Sequence, residues 1–401
     1  MRNVLAVIGF QVLALVGLQA AAMPAAAPAA MPAAAPAAMP APRAAGSDST
    51  PDRTLRDSRV GESSGLAPSR RTPGVVWTHN DSGNSPTLYA IGSDGATVGT
   101  ARVSGVGAVD WEALVPVTGP DGGRLLAIGD IGDNQAARSR IEIDLVPEPA
   151  VKGTSRISPV RVLRLRYPDG PADAEALLAD PRNGRLYVVT KGFLSSTIYA
   201  VPSSAWPADP GTGRTVTATL QPVARVSLSL VTDGAMLLDG RVVLRTYSSL
   251  ALLPPLSLVS DTGSGRVTKV TPVPTLNRLA LITLPAQPQG EGLAVVDDAA
   301  GVLLLSTEGA GSAILRLSVP PDVWSRGTPA ASSAPDDPTQ PAVPENTASG
   351  AKAVVGTLLD GAPLESASRG GAGGWLVTLA GAAAFAVLLM MAWVLARRHR
   401  S

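Results

Sequence analysis

One short outline recurs along this chain: an acid at the head of an apolar run. It appears at Glu62 (GESSGLA), Glu112 (DWEALV), Glu175 (DAEALL), Asp233 (TDGAMLL) and Glu291 (GEGLAVV), at intervals of 50, 63, 58 and 58 residues. Each copy is followed by further short apolar runs broken by Gly, Pro, Asp and Asn. A unit of this length made of short strands cannot bury its apolar faces alone and must stack on its neighbours, which is the mark of a β-propeller. Between about residues 52 and 320 no segment holds a helical period for ten residues, so the fold is expected to be all-β.

Five repeats divide this region into blades. The first holds LAPS, GVVWTH, TLYAIG and TVGTARV. The second holds EALVPV, RLLAIG, RIEIDLV and VRVLRLRY. The third reads EALLAD, RLYVVT, TIYAVP and the long TVTATLQPVARVSLSL. The fourth reads GAMLLD, RVVLRTY, LSLVS and RLALITLP. The fifth has EGLAVVDD, VLLLSTE and AILRLSV and lacks a last strand. The segment Arg53–Val60 precedes the first repeat where a fourth strand belongs, so it is expected to complete the fifth blade and close the ring without an open edge. The alternative is six blades, with Asp261–Leu284 hiding a degenerate one.

The ends differ in composition. Residues 1–22 read as a secretory signal peptide, with Arg2, an apolar run and Ala20-Ala21-Ala22. Residues 23–51 are an Ala/Pro-rich spacer with too few large apolar groups for a core. After the propeller (52–320), residues 321–374 read as a Pro/Ala/Ser/Gly-rich stalk. Trp375–Ala396 carries no charge over 22 residues, enough for a single membrane helix, and Arg397, Arg398 and Arg400 in the tail 397–401 set its cytoplasmic end. The propeller is therefore expected outside the cell membrane, as a single-pass protein and a monomer. Cysteine is absent, which excludes disulfides and thiolate chemistry. A net charge of +1 and 3% aromatic residues argue against a nucleic-acid partner.

In a propeller blade the start of the first strand and the loop after the second lie on one face. That geometry gathers Glu62, Ser63, Glu112, Glu175, Asp233 and Glu291 around the channel mouth as a candidate metal ring. Converging carboxylates repel, and a hard cation such as calcium, which takes six to eight oxygen ligands, offsets this. The same acids can instead hydrogen-bond to neighbouring backbone amides and close the ring. The loops after the second strands add ligand-binding candidates: His79, Asn80, Asp81, Asp130, Asp133, Asn134, Lys191, Arg245, Tyr247 and Glu308. His79, Lys191 and Arg245 are the candidates for chemistry, His79 being the one histidine outside the tail. No GxSxG elbow or P-loop occurs.

The set ESSGLA (62–67), WTHNDSGN (77–84), DWEAL (110–114), GDIGDN (129–134), YPDGPADAEALL (167–178), VVTK (188–191), LRTY (244–247) and QGEGLA (289–294) resembles exported bacterial propeller proteins, often actinobacterial, described as WD40-like repeat proteins of unknown function. More distantly, a five-bladed ring with Glu and Ser at inner-strand positions resembles the calcium-activated apyrases, with propeller phytases and esterase-like propellers as a second comparison. That resemblance implies a central calcium at Ser63, Glu112, Glu175, Thr232 or Asp233, and Glu291, with nucleotide phosphates at the same mouth. Two functions are therefore expected as rivals. One is a surface module that binds a small molecule or an envelope partner through a calcium-bearing mouth. The other is a calcium-dependent hydrolase of phosphoanhydride or phosphate ester bonds.

Overall fold

A computed structural model describes residues 45–46, 48–207, 215–256 and 273–327. The signal peptide, most of the spacer and stalk, and the membrane segment 375–396 lie outside the described residues. Among the described residues no helix is long and apolar enough to cross a membrane.

The chain opens with β1 (Ala45–Gly46) and β2 (Asp48–Thr54). Blade one follows as β3 (Ser63–Pro68), β4 (Val76–Asn80), β5 (Thr87–Ile91) and β6 (Thr97–Val103). Blade two is β7 (Trp111–Thr118), β8 (Arg124–Asp130), β9 (Ile141–Pro147) and, after β10 (Gly153–Ile157), β11 (Arg161–Arg166). Blade three is β12 (Ala174–Ala179), β13 (Leu186–Thr190), β14 (Ser196–Ala200) and, after β15 (Thr215–Thr219), β16 (Gln221–Val226). Blade four is β17 (Val231–Met236), β18 (Val242–Thr246), β19 (Ser249–Leu253) and, after β20 (Thr275–Leu276), β21 (Ala280–Thr283). Blade five is β22 (Gly290–Asp297), β23 (Val302–Thr307) and β24 (Ala313–Ser318), followed by the short helix α1 (Pro321–Trp324). Five sheets result, one per repeat, so the ring has five blades.

The segments between third and fourth strands have a role that the repeat pattern did not show. In chain order β10, β15 and β20 each leave their own blade and pair in parallel with the outer edge of the blade before, on β6, β11 and β16. β1 does the same on β21. The chain then returns to supply its own fourth strand. Blade five gets its fourth strand from β2, which runs antiparallel to β24 with Pro51 opposite Leu315. Among the described residues its edge carries no added strand, because the blade-one turn between β5 and β6 is too short to send one. Pro51, which has no N–H, and a register shift between Pro51 and Arg53 blunt that edge.

Three expectations are corrected here. The closing strand is Asp48–Thr54 and not Arg53–Val60, because the buried Leu55 and Val60 pack between blades five and one as the chain crosses over. TVTATLQPVARVSLSL is not one strand: it breaks at the buried Leu220, and its halves serve blades two and three. The third strand of blade four is Ser249–Leu253 in place of LSLVS. Thr246 Oγ1 accepts from the N–H groups of Ser248 and Ser249 and turns the chain back at once.

Apolar residues form five clusters, and each lies between two neighbouring blades. Trp77 and Trp111 fill the first interface with Leu114 and Ile128. Leu163, Leu186 and Trp206 belong to the next, and Leu178, Ile198 and Leu244 to the third. Leu252, Leu303 and Trp324 form the fourth, and Leu66, Leu304 and Ile314 close the circle. Inner strands such as Leu186–Thr190 are buried along their whole length, whereas the outer Ala280–Thr283 alternates buried with exposed. Burying both faces of every blade leaves the central axis as the place where polar side chains gather.

The closure is fastened by Arg53, whose Nη1 donates to Gly74 O (2.8 Å), Gly92 O (3.1 Å) and Ile91 O (3.2 Å) of blade one. At the exit, Trp324 Nε1 donates to Asp298 O at 2.6 Å, and the Arg241 guanidinium lies over its ring. A chain that begins at Leu55 opens the ring, and its melting temperature is expected to fall by roughly 10 °C or more in calorimetry. An unchanged melting temperature would show that β2 is dispensable.

Candidate functional site

In every blade the innermost strand starts with a register shift against the second. Trp111 faces Asp130 but Ala113 faces Gly129, and Ala174 faces Thr190 but Ala176 faces Val189. Val231 faces Thr246 but Asp233 faces Arg245. The shift lies between Ser63 and Leu66 in blade one and between Gly290 and Leu293 in blade five. A bulge of this kind re-aims one side chain. The residues that follow the first pair are Ser64, Glu112, Glu175, Thr232 and Glu291, each 5% exposed or less. Ser64 Oγ donates to Glu112 O at 3.0 Å and lies 3.4 Å from Glu112 Oε2. Thr232 Oγ1 donates to Glu291 O at 3.3 Å in the same relation, one blade to the next.

This register differs from the expected one at two blades. Glu62, only half buried, accepts from Asn84 Nδ2 at 2.9 Å, and the fully buried Ser63 Oγ pairs with Thr78 Oγ1 at 2.8 Å. Asp233 turns to backbone, accepting from Leu293 N–H (2.6 Å) and Gly234 N–H (2.8 Å), and so staples blade four to blade five. The sequence did hold a signal for this. Glu62-Ser63-Ser64 has the spacing of Asp110-Trp111-Glu112 and Asp173-Ala174-Glu175, so Glu62 matches Asp110 and Asp173, two residues ahead of the ring.

The ring is electrostatically loaded. Burial pushes Glu112 well above the usual carboxylate range, and the nearby charges of Glu175, Asp81, Asp110 and Glu291 add to it. Burial also raises Glu175, against the opposing pull of Lys191, and lifts Glu291 to about 7 against Lys191 and Arg245. Lys191 Nζ forms an ion pair with Glu175 Oε1 and stands 5.2 Å from the ring centre of Tyr247. Burial alone lowers Lys191, but Glu175, Tyr247 and Glu291 outweigh it and hold the ammonium charged. When Glu175 and Glu291 are ionised, Oε2 of each has no donor among the described residues. Carboxylate oxygens of Asp81, Asp110 and Glu112 lie within 4.8 Å of one another. Gly132 makes room for them, since a Cβ there would stand 2.5 Å from Asp110 Oδ2 and collide with Glu112 Oε1.

The remaining candidates divide by what they touch. Asp130 accepts from the N–H groups of Val109 (3.0 Å) and Asp110 (3.1 Å) and pairs with Arg138 at 2.7 Å. Asp133 accepts from Ala137 N–H (2.9 Å) and Arg138 N–H (2.7 Å). Both therefore brace the GDIGDN loop, while Asn134 is exposed. Asn80 ties Glu62 N–H to Arg59 O. Arg245 is fully buried, and its Nη1 and Nη2 donate to Gly292 O (2.5 Å), Ser306 O (2.8 Å) and Gln287 Oε1 (2.6 Å). Glu308 is half buried after β23, with its N–H on Gln289 O at 3.0 Å. Lys191, Tyr247 and Asp81 stand against the ring acids.

His79 is completely buried, edge-on to Trp111 at 5.5 Å, with Nδ1 3.0 Å from Asn80 O. Burial drops it to about 4, so it is a neutral packing residue at neutral pH. The unfolded chain binds a proton between about pH 6.5 and 4 that the native state does not. His79 therefore withdraws stability as pH falls through that window, by at most about 1.4 kcal/mol per unit. His79→Gln is expected to flatten this part of the profile in urea melts. A slope unchanged by the substitution would refute the buried neutral ring.

No family model matches the chain, and no curated protein matches it. Solved structures similar to it include an oxidoreductase described as a glucose dehydrogenase from Thermus thermophilus (11% identity, TM-score 0.36, covering 68% of this chain and 100% of that one). Others are a luciferin-regenerating enzyme (9%, TM-score 0.34, 68% and 96%) and a gluconolactonase from Xanthomonas campestris (14%, TM-score 0.32, 70% and 99%). At these values the likeness carries no argument about activity. What stands from the molecule's own strand pairing is an all-β, five-bladed propeller.

Proposed function

We propose that this protein is a cell-surface ligand-binding module whose channel mouth holds a calcium ion on Ser64, Glu112, Glu175, Thr232 and Glu291. The observation that supports it is the recurrence of an oxygen-bearing side chain at one bulge position in all five blades, each of them buried. Ionised carboxylates without donors or counter-charge are costly in a dry site, and an oxygen-seeking divalent cation removes that cost. Lys191 neutralises one ring acid, so at least two remain uncompensated by direct pairing. The export signal and the 375–396 span read from the sequence support a position on the outer side of the membrane, anchored by the C-terminus.

The rival hydrolase reading draws on Lys191, a cation beside the ring that can face a phosphoryl oxygen. It is weaker because Arg245 is fully buried with Nη1 and Nη2 bound to backbone and Gln287, and His79 is sealed in the core.

Calcium at a hundredfold excess over its Kd is expected to raise the melting temperature of the purified protein by roughly 5–10 °C. Glu112→Gln with Glu175→Gln should abolish the shift, and Lys191→Met, which removes an internal competitor for Glu175, should tighten calcium about three- to tenfold. No shift at millimolar calcium would remove the metal from this reading. Release of phosphate from nucleotides or phytate by the calcium-loaded protein would favour the hydrolase instead.

A further inference from the structure

Every blade ends in an outermost strand, and the five edges are protected unequally. From blade one to blade five these strands are β10, β15, β20, β1 and β2. β20 and β1 are two residues long. β2 carries Pro51, Asp52 and Arg53, and β10 carries the exposed Arg156 close to the exposed Lys152. Short length, proline and charge are the means by which a sheet edge avoids pairing with another chain. β15 has none of them. It reads TVTAT, five residues without a charge, a proline or a glycine.

This strand is firmly seated, and its backbone points outward in a defined way. β15 pairs in parallel with β11 along its whole length, from Val162 opposite Thr215 to Arg166 opposite Thr219. Val216 and Ala218 pack on the core cluster between blades two and three, while Thr215, Thr217 and Thr219 are exposed. Leu220 N–H donates to Arg166 O at 2.8 Å. Backbone groups alternate sides along a strand, so Val216 and Ala218 direct theirs at β11 and the three threonines direct N–H and C=O away from the sheet. Among the described residues no strand pairs with that side. The row behind it is neutral: Thr217 lies beside Arg164, which stands opposite Glu142 on β9 and pairs with it at 3.1 Å. No uncompensated charge therefore repels a second edge of the same kind.

We infer that β15 is a pairing edge between two copies of this chain, which meet antiparallel about a two-fold axis at Thr217. The outward residues are Thr, Thr and Thr in either direction, so the edge is complementary to itself. In that register Thr217 exchanges both backbone hydrogen bonds with Thr217 of the second copy, and Thr215 does the same with Thr219. The facing threonine side chains form favourable cross-strand pairs. One strand pair buries less than the roughly 1,000 Å² of a lasting interface, so the dimer is weak in solution and gains from anchoring of both copies in one membrane. The inference rests on strand pairing and is independent of any calcium or ligand in the mouth.

The chain has no cysteine, so an introduced thiol reports its own neighbour. Full-length Thr217→Cys is to be oxidised with diamide in membranes of the expressing cells, beside Thr154→Cys on β10. Opposite residues of a hydrogen-bonded antiparallel pair have Cα atoms about 5.5 Å apart, within disulfide reach. Thr217→Cys is expected to give about fivefold or more disulfide-linked dimer than Thr154→Cys. A chain with both Thr215→Cys and Thr219→Cys should cross-link likewise. Adding Thr217→Pro, which removes an outward N–H and none that faces β11, should abolish that dimer at an unchanged melting temperature. Thr217→Lys, which sets like charges against each other on the axis, should abolish it too. Equal yields from Thr217→Cys and Thr154→Cys, or a dimer that survives both Thr217→Pro and Thr217→Lys, overturns the inference. An adduct with another protein in place of the dimer also overturns it and makes β15 a docking edge for that partner. Failure of calcium to raise the melting temperature removes the metal from the mouth and leaves this inference standing.

Discussion

The apolar contact between neighbouring blades is what the rest of the molecule depends on. Each sheet is buried on both faces, by Trp77 and Trp111 on one side of the ring and by Leu252, Leu303 and Trp324 on another. Each fully buried side chain of this size contributes roughly 1.5–3 kcal/mol, so the five interfaces together dominate the folding free energy. A polar group within a blade has nowhere to go except the axis or the rim. The ring of Ser64, Glu112, Glu175, Thr232 and Glu291 is the consequence of that exclusion.

A ring held only by such contacts fails at its seam, and this chain reinforces the seam at several levels. β2 supplies the missing strand of blade five, and Arg53 reaches three carbonyls of blade one. The parallel strands β10, β15, β20 and β1 add covalent continuity around the ring, since each belongs in sequence to one blade and in pairing to the blade before. Near the axis Asp233 and Arg245 repeat the theme, crossing from blade four to the backbone of blade five. The buried charges thus fall into two kinds. Asp233 turns to backbone N–H groups. Glu112, by contrast, stands among the like charges of Glu175, Asp81, Asp110 and Glu291.

Much of this was legible in the sequence. The acid-led repeat located all five blades, and short runs such as Leu186–Thr190 and Leu125–Ile128 became inner strands where the pattern put them. The missing strand of the fifth repeat foretold closure by the N-terminal segment, though five residues earlier than the apolar pattern indicated. The errors have one origin: apolar residues were read as strand, while Leu55, Val60 and Leu220 are buried in connections. Strand segments with few apolar groups, such as Gly153–Ile157, gave no sign because none of their residues is fully buried and only Ile157 packs on the core.

By itself the sequence determined the class of fold, the number of repeats and the face on which polar loops gather, because these follow from the period of apolar residues and the fixed alternation of a strand. It determined as well that Glu112, Glu175 and Glu291 occupy equivalent positions. For blade one the spacing Glu62-Ser63-Ser64 already held the answer, whereas only the tertiary structure decided between Thr232 and Asp233 in blade four. A one-residue bulge sends Ser64 and Thr232 to the ring and sends Ser63 and Asp233 elsewhere. Register against a partner strand is a property of the pairing and not of either segment, so it appears only when the strands are side by side.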